Sequence, residues 1–275
     1  MTRLRAAFLT PAAGVMFLLF FVPLLIVLAY SLLSRGAYGG VMQPWTLESY
    51  SRVFDSLYLE IAWRSVWIAA VSTFLCLALA FPMALFIARS TRHKLLLLNL
   101  VMLPFWTSFL IRTYAWMFLL RDTGLINTLL LATHILKQPL PLLFNTGAVI
   151  LGLVYGYLPF MVLPLYATVE KLDPALLHAA ADLGASPWIA FWRVIVPLSK
   201  PGIVAGCLLV FIPCLGAYLT PDLMGGGKTV MLGNLVQNQF TTARDWPFGA
   251  AVSLLLMVVV LIITRALWRH SEELI

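Results

Sequence analysis

The chain is predicted to be an all-α integral membrane protein with six transmembrane helices, and three observations support this. Of its 275 residues, 62% are hydrophobic and only 11% are charged, giving a mean hydropathy of +0.96 that no ordinary soluble domain of this length shows. A helical span needs about 20 predominantly apolar residues, and six such runs can be found along the chain. Lys and Arg gather in short clusters between those runs, not on one basic and aromatic face. The net charge of +7 therefore reads as membrane topology, and nucleic acid is not an expected partner.

In order, the predicted spans cover residues 6–33, 61–88, 95–120, 142–169, 197–223 and 248–267 of a single permease-like domain, 1–275. The first has the basic start of a secretory signal, but its apolar part is too long and no A-x-A cleavage site ends it, so a retained span is expected. An even number of spans puts both termini on one side. That side carries ten basic residues: Arg3, Arg5, Arg89, Arg92, Lys94, Lys171, Arg193, Lys200, Arg265 and Arg269. The other carries six: Arg35, Arg52, Arg121, Lys137, Lys228 and Arg244. The richer side is expected to be cytoplasmic. Pro104 falls in the third span, Pro159 and Pro164 in the fourth, and Pro213 and Pro221 in the fifth. Proline removes a backbone hydrogen bond and bends the helix, so kinked helices around a cavity are expected, as suits a transporter. No internal repeat is visible, which disfavours the inverted-repeat secondary transporters.

Catalytic motifs are weak. The stretch "MGGGKTV" (224–230) offers Gly227, Lys228 and Thr229 in the places of a phosphate-binding loop, but Asp222 holds the place of the first glycine. A carboxylate there repels phosphate, and the preceding "GCLLVFIPCLGAYLTPDL" is a membrane run instead of a buried strand, so a glycine loop is expected and no nucleotide site. "GASP" (184–187) faintly resembles a serine motif of intramembrane proteases, but no histidine falls in a predicted span to activate it, and Pro187 makes Ser186 a natural helix cap. Cys76, Cys207 and Cys214 sit in apolar runs and read as packing residues, while His93, His134, His178 and His270 are scattered, so neither a disulfide nor a metal site is expected.

The most informative segment is the inward loop 170–196, followed by Pro197. Asp173 before Pro174 is an N-cap with a first-turn proline, Gly184 is a stop, and Ser186 before Pro187 is a second start. The loop is predicted to be two short helices in series. Ala179, Ala180 and Ala181 are small side chains that let another backbone approach, which reads as a docking element.

This loop resembles the cytoplasmic signature of ABC-importer permeases: Glu-Ala-Ala, three residues, Gly, nine residues, then Ile, any residue, Leu and Pro. His178, Ala179, Ala180, Gly184, Val194, Val196 and Pro197 occupy those places. His178 departs from the family glutamate, so the salt bridge that carboxylate makes in the family has no counterpart expected here. "LPFWTSFLIRTYAW", "GLVYGYLPFMVLPLY", "DLGASPW", "PGIVAGCLLV" and "RDWPFGAA" extend the resemblance over nearly the whole chain, towards permeases of bacterial spermidine/putrescine importers.

The resemblance implies a type I ABC importer permease fold in a bacterial inner membrane and a non-catalytic role. It also implies a second homologous permease, two cytoplasmic ATPase subunits that hold the ATP and Mg, a periplasmic binding protein, and no cofactor in this chain. The expected ATPase-coupling residues are His178, Ala179, Ala180, Asp182, Gly184, Ser186 and Pro197. A polycation path calls for carboxylates and aromatic faces. Asp222, Tyr218, Trp106, Tyr114 and Trp116 are the candidates, with Arg112 expected to pair with a carboxylate or carbonyl or to lie near the outer surface. Related permeases carrying another small organic cation or an amino-acid-like solute, or a stand-alone secondary transporter, are the alternatives.

Overall fold

Helix α1 (Thr2–Ser31) leads into an antiparallel hairpin, β1 (Leu33–Arg35) with β2 (Val41–Trp45), then α2 (Glu48–Val53) and the long α3 (Ser56–Arg89). After α4 (Lys94–Met102), a 3-10 turn at Leu103–Trp106, α5 (Phe109–Leu120) and α6 (Leu125–Ala132), the chain reaches α7 (Thr146–Val169). Then come α8 (Pro174–Asp182), α9 (Pro187–Ala190), a π-helical turn at Phe191–Ile195 and α10 (Val196–Leu198). The chain ends with α11 (Lys200–Leu215), α12 (Leu219–Gly225), α13 (Leu232–Thr241) and α14 (Trp246–Glu272). The computed structural model describes residues 2–272, which fall in two compact units, 2–60 with 235–261 and 61–234 with 262–272. The side chains of Arg3, Arg5, Arg269 and His270 lie outside the described residues.

Four helical segments among the described residues are long and apolar enough to cross a membrane: Gly14–Ser31, Ser56–Arg89, Thr146–Val169 and Trp246–Ala266. Two bent pairs bring the number to the expected six, Lys94–Trp106 with Phe109–Ala132 at 88° and Pro187–Leu198 with Lys200–Leu215 at 70°. These pairs correct two predicted spans. Residues 95–120 are not one helix: Pro104 cannot donate to the ladder, Thr107 turns extended (ψ 148°), and its hydroxyl donates to the Pro104 carbonyl at 2.8 Å. Residues 197–223 are likewise divided. Gly216 caps α11, and Pro221 lacks the N–H that would continue the ladder back to Ala217, so α12 starts as a separate helix. Pro197 belongs to α10, ahead of the 70° bend, and not to the start of the membrane helix.

In the unit formed by residues 2–60 with 235–261, the "RDWPFGAA" stretch starts α14. Asp245 is buried, accepts from the Phe248 N–H at 3.3 Å as a helix cap, and pairs with Arg52 at 2.9 Å; the Arg52 guanidinium lies 4.4 Å over the Phe248 ring.

In the other unit, α7 and α11 pack closely against each other. "GIVAG" places Gly202 and Gly206 on one face of α11, both buried. A Cβ on Gly202 would stand 2.4 Å from Thr168 Oγ1 and 2.7 Å from the Pro164 carbonyl oxygen, and one on Gly206 would stand 2.6 Å from Met161 Sδ. The Pro164 carbonyl is backbone and cannot swing aside. Gly202→Val is therefore expected to destabilise the purified permease by about 3 kcal/mol through overpacking, read as a lower midpoint of thermal unfolding in detergent. An unchanged midpoint would mean the helices are not this close.

Candidate functional site

The segment 173–198 is shaped by local signals. Asp173 Oδ1 accepts from the Ala175 N–H at 2.9 Å, and Pro174 supplies the first helical residue of α8. At the other end Gly184 adopts φ +79°, the Gly184 N–H donates to the Ala181 carbonyl and the Ala185 N–H to the Ala180 carbonyl, each at 2.9 Å. That paired pattern is a Schellman cap, which needs a left-handed residue where glycine stands. Ser186 then accepts from the Ile189 N–H at 3.4 Å to start α9. The π turn follows because Pro197 offers no N–H to the Arg193 carbonyl, so the ladder must widen ahead of it.

His178, Ala179, Asp182, Gly184, Ser186 and Pro197 are exposed on this segment, and Ala180 is half-buried. The exposed surface is apolar as well as small, with Leu183 89% and Trp188 69% exposed. Trp188, Phe191 and Trp192 form a ring cluster with centroids 5.2 to 5.9 Å apart. Phe191 also meets Phe81 of α3 edge-on at 5.1 Å, which ties the short helices to a membrane helix. The sequence reading singled out none of these rings. Their signal was present in "SPWIAFW", three aromatics spaced to share one helical face. Behind the segment lies a cleft of about 380 Å³ lined by Leu85, Arg89, Val169, Glu170, Leu177 and Ile195.

Lys94, at the start of α4, pairs with Glu170, at the end of α7. The hydrogen bond from Lys94, helped by Tyr166, holds the Glu170 carboxyl below the usual carboxylate range. A depressed folded-state value means that the pair's contribution is complete above the ordinary carboxylate value and is lost only as pH falls through the lowered one. Both partners are half-exposed, so the effect is small. We expect Glu170→Gln to lower the unfolding midpoint in detergent slightly near neutral pH and to leave it unchanged at low pH, so that the acid-side fall flattens. A variant that loses stability mainly at low pH would contradict this pairing.

The candidate path residues are spread out. Asp222 is exposed on α12, its N–H donating to the Tyr218 carbonyl at 3.0 Å. Trp106 and Tyr114 are exposed, and Trp116 meets Tyr155 edge-on at 5.5 Å. Tyr218 alone among them lines an open-sided cavity of about 260 Å³, together with Phe109, Tyr157, Pro213, Gly216 and Thr220. Arg112 finds no hydrogen-bond acceptor for two of its three nitrogens among the described residues. Its guanidinium lies over the Phe105 and Phe109 rings at 5.3 and 5.4 Å, and those two nitrogens, Nε and Nη1, are buried.

The glycine stretch 225–227 ends a helix and follows no strand. Gly226, at φ +57°, caps α12 against Phe144, Thr229 is buried beside Thr146 at 3.5 Å, and Lys228 is exposed. Nothing there resembles the strand–loop–helix of a phosphate-binding loop. Cys76 and Cys214 are buried and Cys207 is half-buried, all three as free thiols within membrane helices.

Broken and kinked apolar helices beside a cavity, with an exposed, capped helix pair between two of them, are the architecture of a membrane-embedded transport protein. The chain belongs to the family of binding-protein-dependent transport system inner membrane components, whose model matches residues 80–273. Among its relatives it is similar to the spermidine/putrescine transport system permease protein PotB of Escherichia coli (strain K12), 44% identical over 94% of each chain. The PotB of Haemophilus influenzae is 43% identical over 93% of this chain and 90% of its own. In fold it is similar to a chain of the bacterial alginate ABC transporter in complex with an alginate pentasaccharide-bound periplasmic protein. That match has a TM-score of 0.79 at 17% identity, covering 98% of this chain and 94% of the other.

Proposed function

We propose that the chain is the transmembrane permease subunit of an ATP-driven polyamine importer, taking spermidine- or putrescine-like substrate from a periplasmic binding protein. The observation that carries the substrate class is similarity to spermidine/putrescine permeases at 44% identity over 94% of both chains. A second, homologous permease completes the translocation path, and two cytoplasmic ATPase subunits hold the ATP and Mg. This chain supplies no catalytic group. Both termini face the cytoplasm, in keeping with the excess of Lys and Arg on that side.

In this mechanism, closure of the ATPase dimer moves the helices α8 and α9, which it contacts at Ala179, Ala180 and Gly184. Leu183 and Trp188 provide apolar anchorage. The Phe191–Phe81 contact passes the displacement to α3, and the bends at 107–108 and 199 let helical segments tilt without breaking packed ladders. Opening of the cavity to each side in turn then moves the substrate.

The test is uptake of labelled spermidine into liposomes that hold the whole assembly and the binding protein. ATP-dependent accumulation is expected. Movement by this chain alone, indifferent to ATP, would make it a stand-alone transporter, and ATP-driven import of other solutes with no polyamine would overturn the substrate class.

A further inference from the structure

The cleft of about 380 Å³ behind the coupling segment has no role in the movement described above. Its depth in the membrane follows from the two spans that end on it. Helix α7 has 24 residues, about 36 Å at 1.5 Å per residue, enough to cross a hydrocarbon core of about 30 Å and leave Val169 and Glu170 at its edge. Helix α3 ends on the same cleft at Arg89. The cleft therefore opens at the depth where the phosphates of a lipid leaflet lie.

Its lining combines two kinds of chemistry. Seven of the ten lining residues are apolar, among them Leu85 of α3, Leu177 of α8 and Ile195 of the π turn, so the walls suit a hydrocarbon chain. The other three are Arg89, Thr91 and Glu170. Glu170 is already neutralised by Lys94. Arg89 is not matched in this way: it is exposed and makes no hydrogen bond or ion pair with another described residue. A guanidinium presents its N–H groups as a fork that fits phosphate oxygens, and the Thr91 hydroxyl can donate to the same group. Basic pockets between membrane helices at headgroup level are a recurrent form of anionic-lipid site. A docking protein would meet the other side of α8, where His178 and Ala179 are exposed while Leu177 is half-buried on the cleft.

We propose that this cleft is a binding site for one anionic phospholipid, with the phosphate on Arg89 and Thr91 and the upper part of an acyl chain along Leu85 and Leu177. The volume lies within the roughly 300–1,000 Å³ of small-molecule sites, which admits part of a lipid and leaves the rest in the bilayer. Leu177 and Ile195 belong to the coupling segment, and Leu85 and Val169 to the spans, so the lipid packs against both. Neither polyamine nor ATP enters the site, and it does not depend on the substrate reading.

The experiment titrates phosphatidylglycerol into the full-length permease in detergent and reads bound lipid by native mass spectrometry, with phosphatidylcholine as the neutral comparison. Wild type is expected to hold one phosphatidylglycerol about tenfold more tightly than phosphatidylcholine. Arg89→Gln is expected to weaken that first site about tenfold by removing charge-assisted hydrogen bonds. Arg92→Gln, at an exposed position outside the lining, is expected to change it by less than about twofold at moderate salt. Leu177→Trp fills the cleft and should abolish the tight site; its unfolding midpoint checks that the chain is folded, and the exposed Arg89 variant decides the matter if it is not. Equal affinity of wild type for the two lipids, or equal losses with Arg89→Gln and Arg92→Gln, would overturn the site and leave only a diffuse basic surface. Displacement of the lipid by millimolar inorganic phosphate would assign Arg89 to a free anion and overturn the lipid. An assembly that imports no polyamine would change none of these results.

Discussion

Gly184→Val is expected to leave the permease folded and inserted while reducing ATP-driven uptake at least tenfold. The reason is backbone geometry. A residue at φ +79° costs a β-branched side chain roughly 1–2 kcal/mol, and relief of that strain unwinds the Schellman cap that fixes the angle between α8 and α9. Nothing lies within 4 Å of an added Cβ in this chain, so the isolated permease meets no steric clash and its unfolding midpoint moves little. Gly184→Asn separates two causes, since asparagine accepts the left-handed conformation far more readily than valine. Uptake preserved with Asn and lost with Val means that the turn's shape matters. Loss with both means that the ATPase backbone approaches Gly184 too closely for any side chain. Normal uptake with Val would remove this turn from the coupling path.

The second large effect is expected from Trp188→Ala. Trp188 is 69% exposed in the chain by itself but sits on rings that fix its orientation, which is the disposition of an interface anchor. Truncating a buried aromatic anchor of an interface costs about 2 kcal/mol or more, so association with the ATPase subunits is expected to weaken about thirtyfold or more. Titration of purified ATPase onto permease held in nanodiscs reads this directly. Leu183→Glu, at the 89% exposed tip, should act in the same direction by burying a charge. If both variants bind the ATPase like wild type, the docking surface lies elsewhere.

Much of this was legible without coordinates, and the reasons are local. The start of α8 at Asp173, its stop at Gly184 and the restart at Ser186 follow from caps, which depend on residues within one helical turn. The membrane spans follow from apolar run length, which lipid imposes on any helix. Where the runs break was harder to see. Pro104 and Pro221 were visible as kinks, but whether a proline bends a helix or divides it depends on what takes up the freed carbonyls and on the neighbours available, such as the Thr107 hydroxyl on Pro104. The hairpin β1–β2 escaped an all-helical reading because its strands are only 3 and 5 residues long.

The candidate site divides the same way. The coupling segment is contiguous in the chain, so a motif could find it. The cavity joins Phe109 of α5, Tyr157 of α7, Pro213 of α11 and Tyr218 with Thr220 at the start of α12, and no spacing rule connects four helices that far apart in the chain. Tyr218 was singled out, whereas Tyr157 and Thr220 looked like ordinary span residues. Arg112 is the sharpest contrast: charge in a span signals that it needs a partner, but only packing shows that the partner is a pair of phenyl rings.

By itself the sequence determined that this chain crosses a membrane, where its helices run, and that a capped helix pair interrupts them, because hydropathy and capping act over neighbouring residues. The tertiary structure alone decided which spans are broken, how closely α7 and α11 approach at Gly202 and Gly206, and which rings and hydroxyl surround one cavity. Those features arise from contacts between distant residues, whose energies exist only once the helices have packed.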